Sequence, residues 1–177
     1  MNRVLISFFL ILSPLVIFSQ NFTRQDSLRG SITPQRVWWD LTYYHLDISV
    51  DPDNRFIKGS NTVQYKVLQD NDEMQIDLQE PLKITKIIQD GNELNFRSEG
   101  YSHFIKLKKK QKKDKIKSIK IRYEGNPKIA VNPPWDGGLT WTRDFNGKHF
   151  VANSNQGIGA SIWWPNKDHM YDEVDSM

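Results

Sequence analysis

Asp40-Leu-Thr-Tyr-Tyr-His-Leu-Asp-Ile-Ser-Val-Asp-Pro-Asp-Asn54 is the stretch that decides the fold. Tyr44, Leu46, Ile48 and Val50 alternate with His45, Asp47 and Ser49, the period of two that sends successive side chains to opposite faces of a strand. Asp51-Pro-Asp-Asn54 ends the run as a turn, because proline presets the backbone angle and Asp or Asn tolerates the tight positions. A second arm follows, with Ile57, Val63, Tyr65 and Val67 in phase and Gly59 placed for a bulge or a close backbone approach. The pattern continues through Met74, Ile76 and Leu78, then Leu82, Ile84 and Ile88. Asp90-Gly91-Asn92, a strong hairpin cue, leads to Leu94 and Phe96. No window sustains a helical period. Strands at this spacing predict an all-β fold, a mostly antiparallel sheet or sandwich, over residues 36–177.

With 177 residues, 38% of them hydrophobic and 25% charged, the chain is long enough for one such domain plus a leader. Met1 to Ser19 has the composition of a secretory signal peptide: Arg3 as the basic end, an apolar run from Val4 to Phe18, and a small residue before Gln20. Ile17 fits the cleavage rule poorly, which leaves an uncleaved anchor as the alternative, although the run is short for a spanning helix. The expectation is export to the periplasm, cell surface or exterior, without stable membrane insertion. There is no cysteine, so packing must hold the domain together without disulfides. Residues 20–35 are polar and read as a flexible lead-in.

The net charge of +3 is local in origin. Between Lys106 and Lys120 stand nine lysines and one aspartate, and the rest of the chain carries 15 basic against 20 acidic residues. A nucleic-acid groove needs basic residues from several elements with aromatics among them. These lysines flank one predicted turn, between Ile105 and Leu107 on one side and Ile116, Ile119 and Ile121 on the other. A solvated, aggregation-resistant hairpin is the plain reading and attraction to an anionic surface the alternative.

Gly125 to Asn146, rich in proline and glycine, reads as a long loop carrying Trp135 and Trp141, either pinned to the sheet or offering a contact surface. The chain then closes on Gln156-Gly-Ile-Gly-Ala-Ser-Ile-Trp-Trp-Pro-Asn-Lys-Asp-His-Met-Tyr-Asp-Glu173. Two adjacent tryptophans and an acidic cluster so near an end suggest the middle of a longer protein. Gln156, nine residues before Pro165-Asn-Lys-Asp168, with Asp172-Glu173 shortly after, resembles the N-terminal domain of the aminopeptidase N family of zinc metallopeptidases, which includes leukotriene hydrolase. The resemblance spans about Trp38 to Met177 and departs from the family where Val174 replaces a proline.

That resemblance implies a large, mostly antiparallel, saddle-like β domain that performs no chemistry itself. It would pack against a catalytic domain of the same protein and contribute Gln156, on a strand, to hold the free amino terminus of a peptide substrate. Zinc would be bound in the catalytic domain, not by this chain, and this chain alone should be inactive. The residues are consistent with that: His45, His103, His149 and His169 are scattered, and none has a second histidine at ligand spacing. His169 with Glu173, and the carboxylates Asp168, Asp172, Glu173 and Asp175, are better read as a solvated turn than as a cation site. From spacing alone, Gln156 is equally a polar strand residue before an easing Gly-x-Gly pair. The rival function is a stand-alone secreted β-sandwich module binding carbohydrate or peptide, and a purely structural domain is a third.

Overall fold

The structure, a computed structural model, describes residues 22–177. The leader expected over 1–19 lies outside the described residues. Among the described residues ten strands form three antiparallel sheets. In chain order they are β1 (Trp39–Asp51), β2 (Phe56–Val67), β3 (Asn71–Asp77), β4 (Lys83–Gln89), β5 (Asn92–Glu93), β6 (Phe96–Glu99), β7 (Ser102–Gln111), β8 (Ile116–Gly125), β9 (Gly138–Arg143) and β10 (His149–Ser154). The large sheet has the order β1-β2-β8-β4-β5, the second β3-β7-β6, and the third pairs β9 with β10, with one parallel bridge from Leu139 of β9 to Ile129. The core lies between the first two: Val63, Tyr65, Ile119, Ile121 and Ile87 from one, and Met74, Ile76, Ile105 and Leu107 from the other.

The opening hairpin follows the sequence pattern closely, with Asp51 paired to Phe56 across its turn and Ile57, Val63, Tyr65 and Val67 all buried. Gly59 serves a close approach, since a Cβ there would run into the Asp47 carbonyl. Asp90 (φ 49°) and Gly91 (φ 77°) supply the two left-handed positions of a tight two-residue hairpin joining β4 to β5.

Four expectations need correction. Where it is described, from residue 22, the expected flexible lead-in forms two short helices. Helix α1 (Arg24–Gly30) starts at a capping box in which Thr23 and Asp26 satisfy each other's backbone N–H, and α2 (Pro34–Val37) follows with proline in its first turn. The lysine-rich arms are not a hairpin: β7 pairs with β3 and β6, β8 with β2 and β4, so Ile105 and Leu107 face Ile119 and Ile121 across the core. The chain changes layers at Lys112–Lys115, which buries both apolar faces in one core rather than leaving both arms in one sheet. The segment 125–146 is not loop throughout, because its second half is β9, carried into β10 through a turn at Asp144–Gly147. Finally, a bulge between Ile84 and Lys86 shifts the phase of β4, so Ile87 is buried and Ile88 only partly.

Candidate functional site

Gln156 is exposed and lies in a turn after β10, not on a strand as the sequence suggested. The turn closes when the N–H groups of Ile158 and Gly159 both donate to the Asn155 carbonyl (3.2 and 3.1 Å). Gly157 (φ 70°) and Gly159 (φ 79°) both occupy positive-φ conformations that L side chains rarely adopt. The Gly-x-Gly pair is therefore what allows the chain to fold back on itself immediately after Gln156.

Four side chains hold this turn. Arg29 of α1 donates to the Gly157 carbonyl (3.0 Å). Gln79 Nε2 donates to the Ile158 carbonyl (2.6 Å) and to Ser161 Oγ (2.9 Å). Ile158 rests against Gly137, where any Cβ would collide with it. Asp168 accepts from Ser161 Oγ at 2.5 Å and lies so close over Gly159 that an added Cβ would fall inside the carboxylate. The spacing from Gln156 to Pro-x-x-Asp thus has a local cause: Asp168 folds back onto the glycine and serine that end the turn.

Asp168 is itself anchored from beneath. Its backbone N–H donates to Asp77 Oδ2 (3.3 Å), and Asp77 and Asn166 exchange backbone hydrogen bonds of 2.8 and 3.1 Å, which extends β3 by one bridge. The Asp77 carboxylate is buried, pairs with Arg36, and accepts from Gln75 Nε2 and Ser102 Oγ at 3.0 Å each. Burial pushes the Asp77 carboxyl above the usual carboxylate range, and the Arg36 charge opposes that shift. Arg36, fully buried, also donates to the carbonyls of Leu28 (2.7 Å), Arg29 (3.1 Å) and Ser31 (3.0 Å), tying down the end of α1 that carries Arg29.

The acidic cluster is not a solvated turn throughout. Lys167 is buried, donates to the Trp39 carbonyl (2.6 Å), pairs with Asp172 and lies 4.0 Å from the centre of the Trp39 ring. Burial pulls its ammonium below the usual lysine range, while Asp172 holds it up. Asp172 also accepts from the Leu41 N–H (3.3 Å), so only Glu173 and Asp175 remain outward. Trp164 is buried edge-on against Tyr44 and Trp163 is half-buried, both following a 3-10 turn (Ala160–Ile162).

Ser161 Oγ accepts from Gln79 Nε2 and donates to Asp168, and among the described residues no imidazole is hydrogen-bonded to it. His169 Nε2 lies 3.1 Å from the Gly30 carbonyl, and its ring packs edge-on against Tyr171 instead of joining Glu173. Among the described residues no three His, Asp or Glu side chains converge as a metal-holding group. An open groove of about 660 Å³ runs between α1 and the last segment, lined by Arg29, Leu41, Trp164, Asp168 and Val174, and Gln156 is not among its walls. In the 125–137 segment Trp135 is 75% exposed, whereas Trp141 on β9 packs against the core. The helices, β9 and β10 were missed from sequence, although Thr23-x-x-Asp26, Thr33-Pro34 and Asn146-Gly147 carry their signals.

No protein-family model and no curated protein matches the chain. Solved structures do share its fold. An M1 zinc metallopeptidase from Deinococcus radiodurans superposes with a TM-score of 0.59 at 15% identity, over 78% of this chain and 31% of that one. A yeast LTA4 hydrolase in complex with bestatin gives 0.62 at 21%, over 77% and 22%, and a native yeast LTA4 hydrolase 0.62 at 20%, over 86% and 26%. Likeness at these identities establishes the fold, and the chain spans less than a third of the length of these proteins.

Proposed function

We propose that this chain is the non-catalytic N-terminal β domain of an exported zinc-dependent aminopeptidase, and that Gln156 is its contact with the free amino terminus of a peptide. The observation that carries the reading is the Gln156 turn. An exposed carboxamide sits on backbone fixed by Arg29, Gln79, Ile158 and Asp168, the kind of pre-organised support a binding group needs. Its oxygen can accept from an ammonium group without adding a carboxylate to the site. The shared fold with two metallopeptidase groups supports the same reading.

The peptidase chemistry itself would belong to a catalytic domain of the same protein, where a zinc ion would supply Lewis-acid activation and a glutamate would serve as general base. The test is Gln156→Ala in the zinc-loaded enzyme. A hydrogen bond to a charged partner contributes about 1.5–3 kcal/mol, so KM for an aminoacyl anilide should rise about 10- to 150-fold. An unchanged KM removes Gln156 from the site. The second reading, a stand-alone module for carbohydrate or peptide, draws on the exposed Trp135 ring. Saturable glycan binding that is lost in Trp135→Ala would favour it.

A further inference from the structure

The lysine-rich crossing between the two main sheets forms one rim of the molecule. A groove of about 390 Å³ opens there, lined by Lys108, Lys109, Lys110, Lys112, Lys115 and Lys117 together with the β4–β5 turn. Lys112 is paired with Asp70 (2.7 Å) and Lys117 with Asp90 (3.7 Å). Among the described residues, Lys108, Lys109, Lys110 and Lys115 have no carboxylate within ion-pair distance. The rim is therefore net positive in a chain whose remainder is net negative. The lysines come from different layers: β7 supplies one wall and the start of β8 the other, while β2 ends beside them, with the Val67 N–H donating to the Lys115 carbonyl (2.8 Å).

Two aliphatic side chains share this rim. Ile116, between Lys115 and Lys117, is 64% exposed, and Leu68, just past β2, is 40% exposed. Every other isoleucine of β7 and β8 is buried. No aromatic residue lies between Ile105 and Arg122, so the rim has no platform on which a base could stack. Cationic side chains around protruding aliphatic ones, without aromatics, match the headgroup and upper acyl region of an anionic bilayer better than a nucleic acid.

We propose that this rim docks the domain on an anionic membrane surface, the lysines against lipid phosphates and Ile116 and Leu68 into the interface. The test is vesicle flotation of the full chain with phosphatidylcholine vesicles and with vesicles containing about a third phosphatidylglycerol. The leader, with Arg3 and the apolar Val4–Phe18 run, is identical in every variant, so the readout is the change from one variant to the next in the ratio of the two affinities. Each rim lysine should be worth about a fivefold factor, and Lys108→Gln, Lys110→Gln and Lys115→Gln together about a hundredfold. Raising salt from about 0.05 M to about 0.5 M should abolish the preference. Ile116→Ser should weaken binding to the anionic vesicles with less effect on its salt dependence.

The control removes the same charge at the far end of β8, about 30 Å away at strand rise: Lys58→Gln, Lys83→Gln and Lys128→Gln. Equal loss in that control would reduce the effect to net charge and overturn the proposal. So would the absence of any preference for anionic vesicles. Salt-sensitive capture of an oligonucleotide with no vesicle preference would make the rim a nucleic-acid surface and overturn it likewise.

Discussion

Gly159→Ala should be among the most damaging single-methyl changes in the chain. Gly159 adopts φ 79° and ψ 170°, a region open essentially to glycine alone, so alanine there costs about 1–3 kcal/mol in backbone strain. The new Cβ would also occupy the space of the Asp168 carboxylate. Asp168 must then retreat and give up its bond from Ser161, a charge-assisted bond contributing about 1.5–3 kcal/mol. The two effects amount to about 3–6 kcal/mol, a large share of the roughly 5–15 kcal/mol by which domains are stable. Urea unfolding followed by tryptophan fluorescence reads this directly, because Trp163 and Trp164 directly follow the Ala160–Ile162 turn. With a slope of about 2 kcal/mol per molar, the midpoint should fall by about 1.5–3 M. Gly147→Ala is the comparison, since Gly147 has φ 77° but open space around it, and should cost only about 1–2 kcal/mol. Adding Asp168→Ala to Gly159→Ala should cost less than the two single changes summed, because the clash disappears with the carboxylate. If Gly159→Ala is no worse than Gly147→Ala, or if the double variant is additive, the coupling between the turn and Asp168 is refuted.

Arg36→Met leaves the Asp77 carboxylate buried without its cation, and chemical denaturation should show a loss of about 3–5 kcal/mol. His103 is buried with Nε2 donating to the Leu78 carbonyl (3.2 Å) and Nδ1 accepting from Ser98 Oγ (2.8 Å), and burial holds its pKa below the ordinary value. Its contribution to stability is therefore complete above pH ~6.5, where the unfolded imidazole titrates, and is lost as pH falls through that value towards the folded one. His103→Gln should flatten the fall in melting temperature between about pH 7.5 and pH 5; an unchanged profile would assign the titration elsewhere. Dialysed against zinc and washed, the isolated chain should retain no stoichiometric metal by elemental analysis, whereas tight retention would reveal a ligand set that the described residues do not bring together.

The sheets were legible because each half-buried strand writes its burial as alternation. Tyr65 and Val67 are in phase with Val63, and Asp90-Gly91 provides the only tight turn that fits between β4 and β5. Partnership was not legible. Alternation says which side of β7 is apolar but not which strand lies beside it, and Ile105 facing Ile119 across the core leaves the same pattern as a hairpin would. Bulges were invisible for a related reason: the shift after Ile84 moves the buried face by one residue without any change in composition. At the site, the Gln156 and Pro165-Asn-Lys-Asp168 spacing was visible, but its local cause was not. Asp168 meets Gly159 only because Asp77, far away in sequence, fixes its backbone. Asp172 reads as part of a solvated turn because a lone carboxylate looks like surface until its desolvation is seen to be offset by Lys167 and the Leu41 N–H.

The central claim is that this β domain serves a peptidase. The most direct measurement is the coding sequence immediately after the Met177 codon, read from the transcript. The account predicts an open frame that runs on into a His-Glu-x-x-His helix with a more distant glutamate, the ligand set for a catalytic zinc. A stop codon at that point would contradict it, leaving the peptidase likeness as shared fold alone and the stand-alone binding module as the reading to pursue.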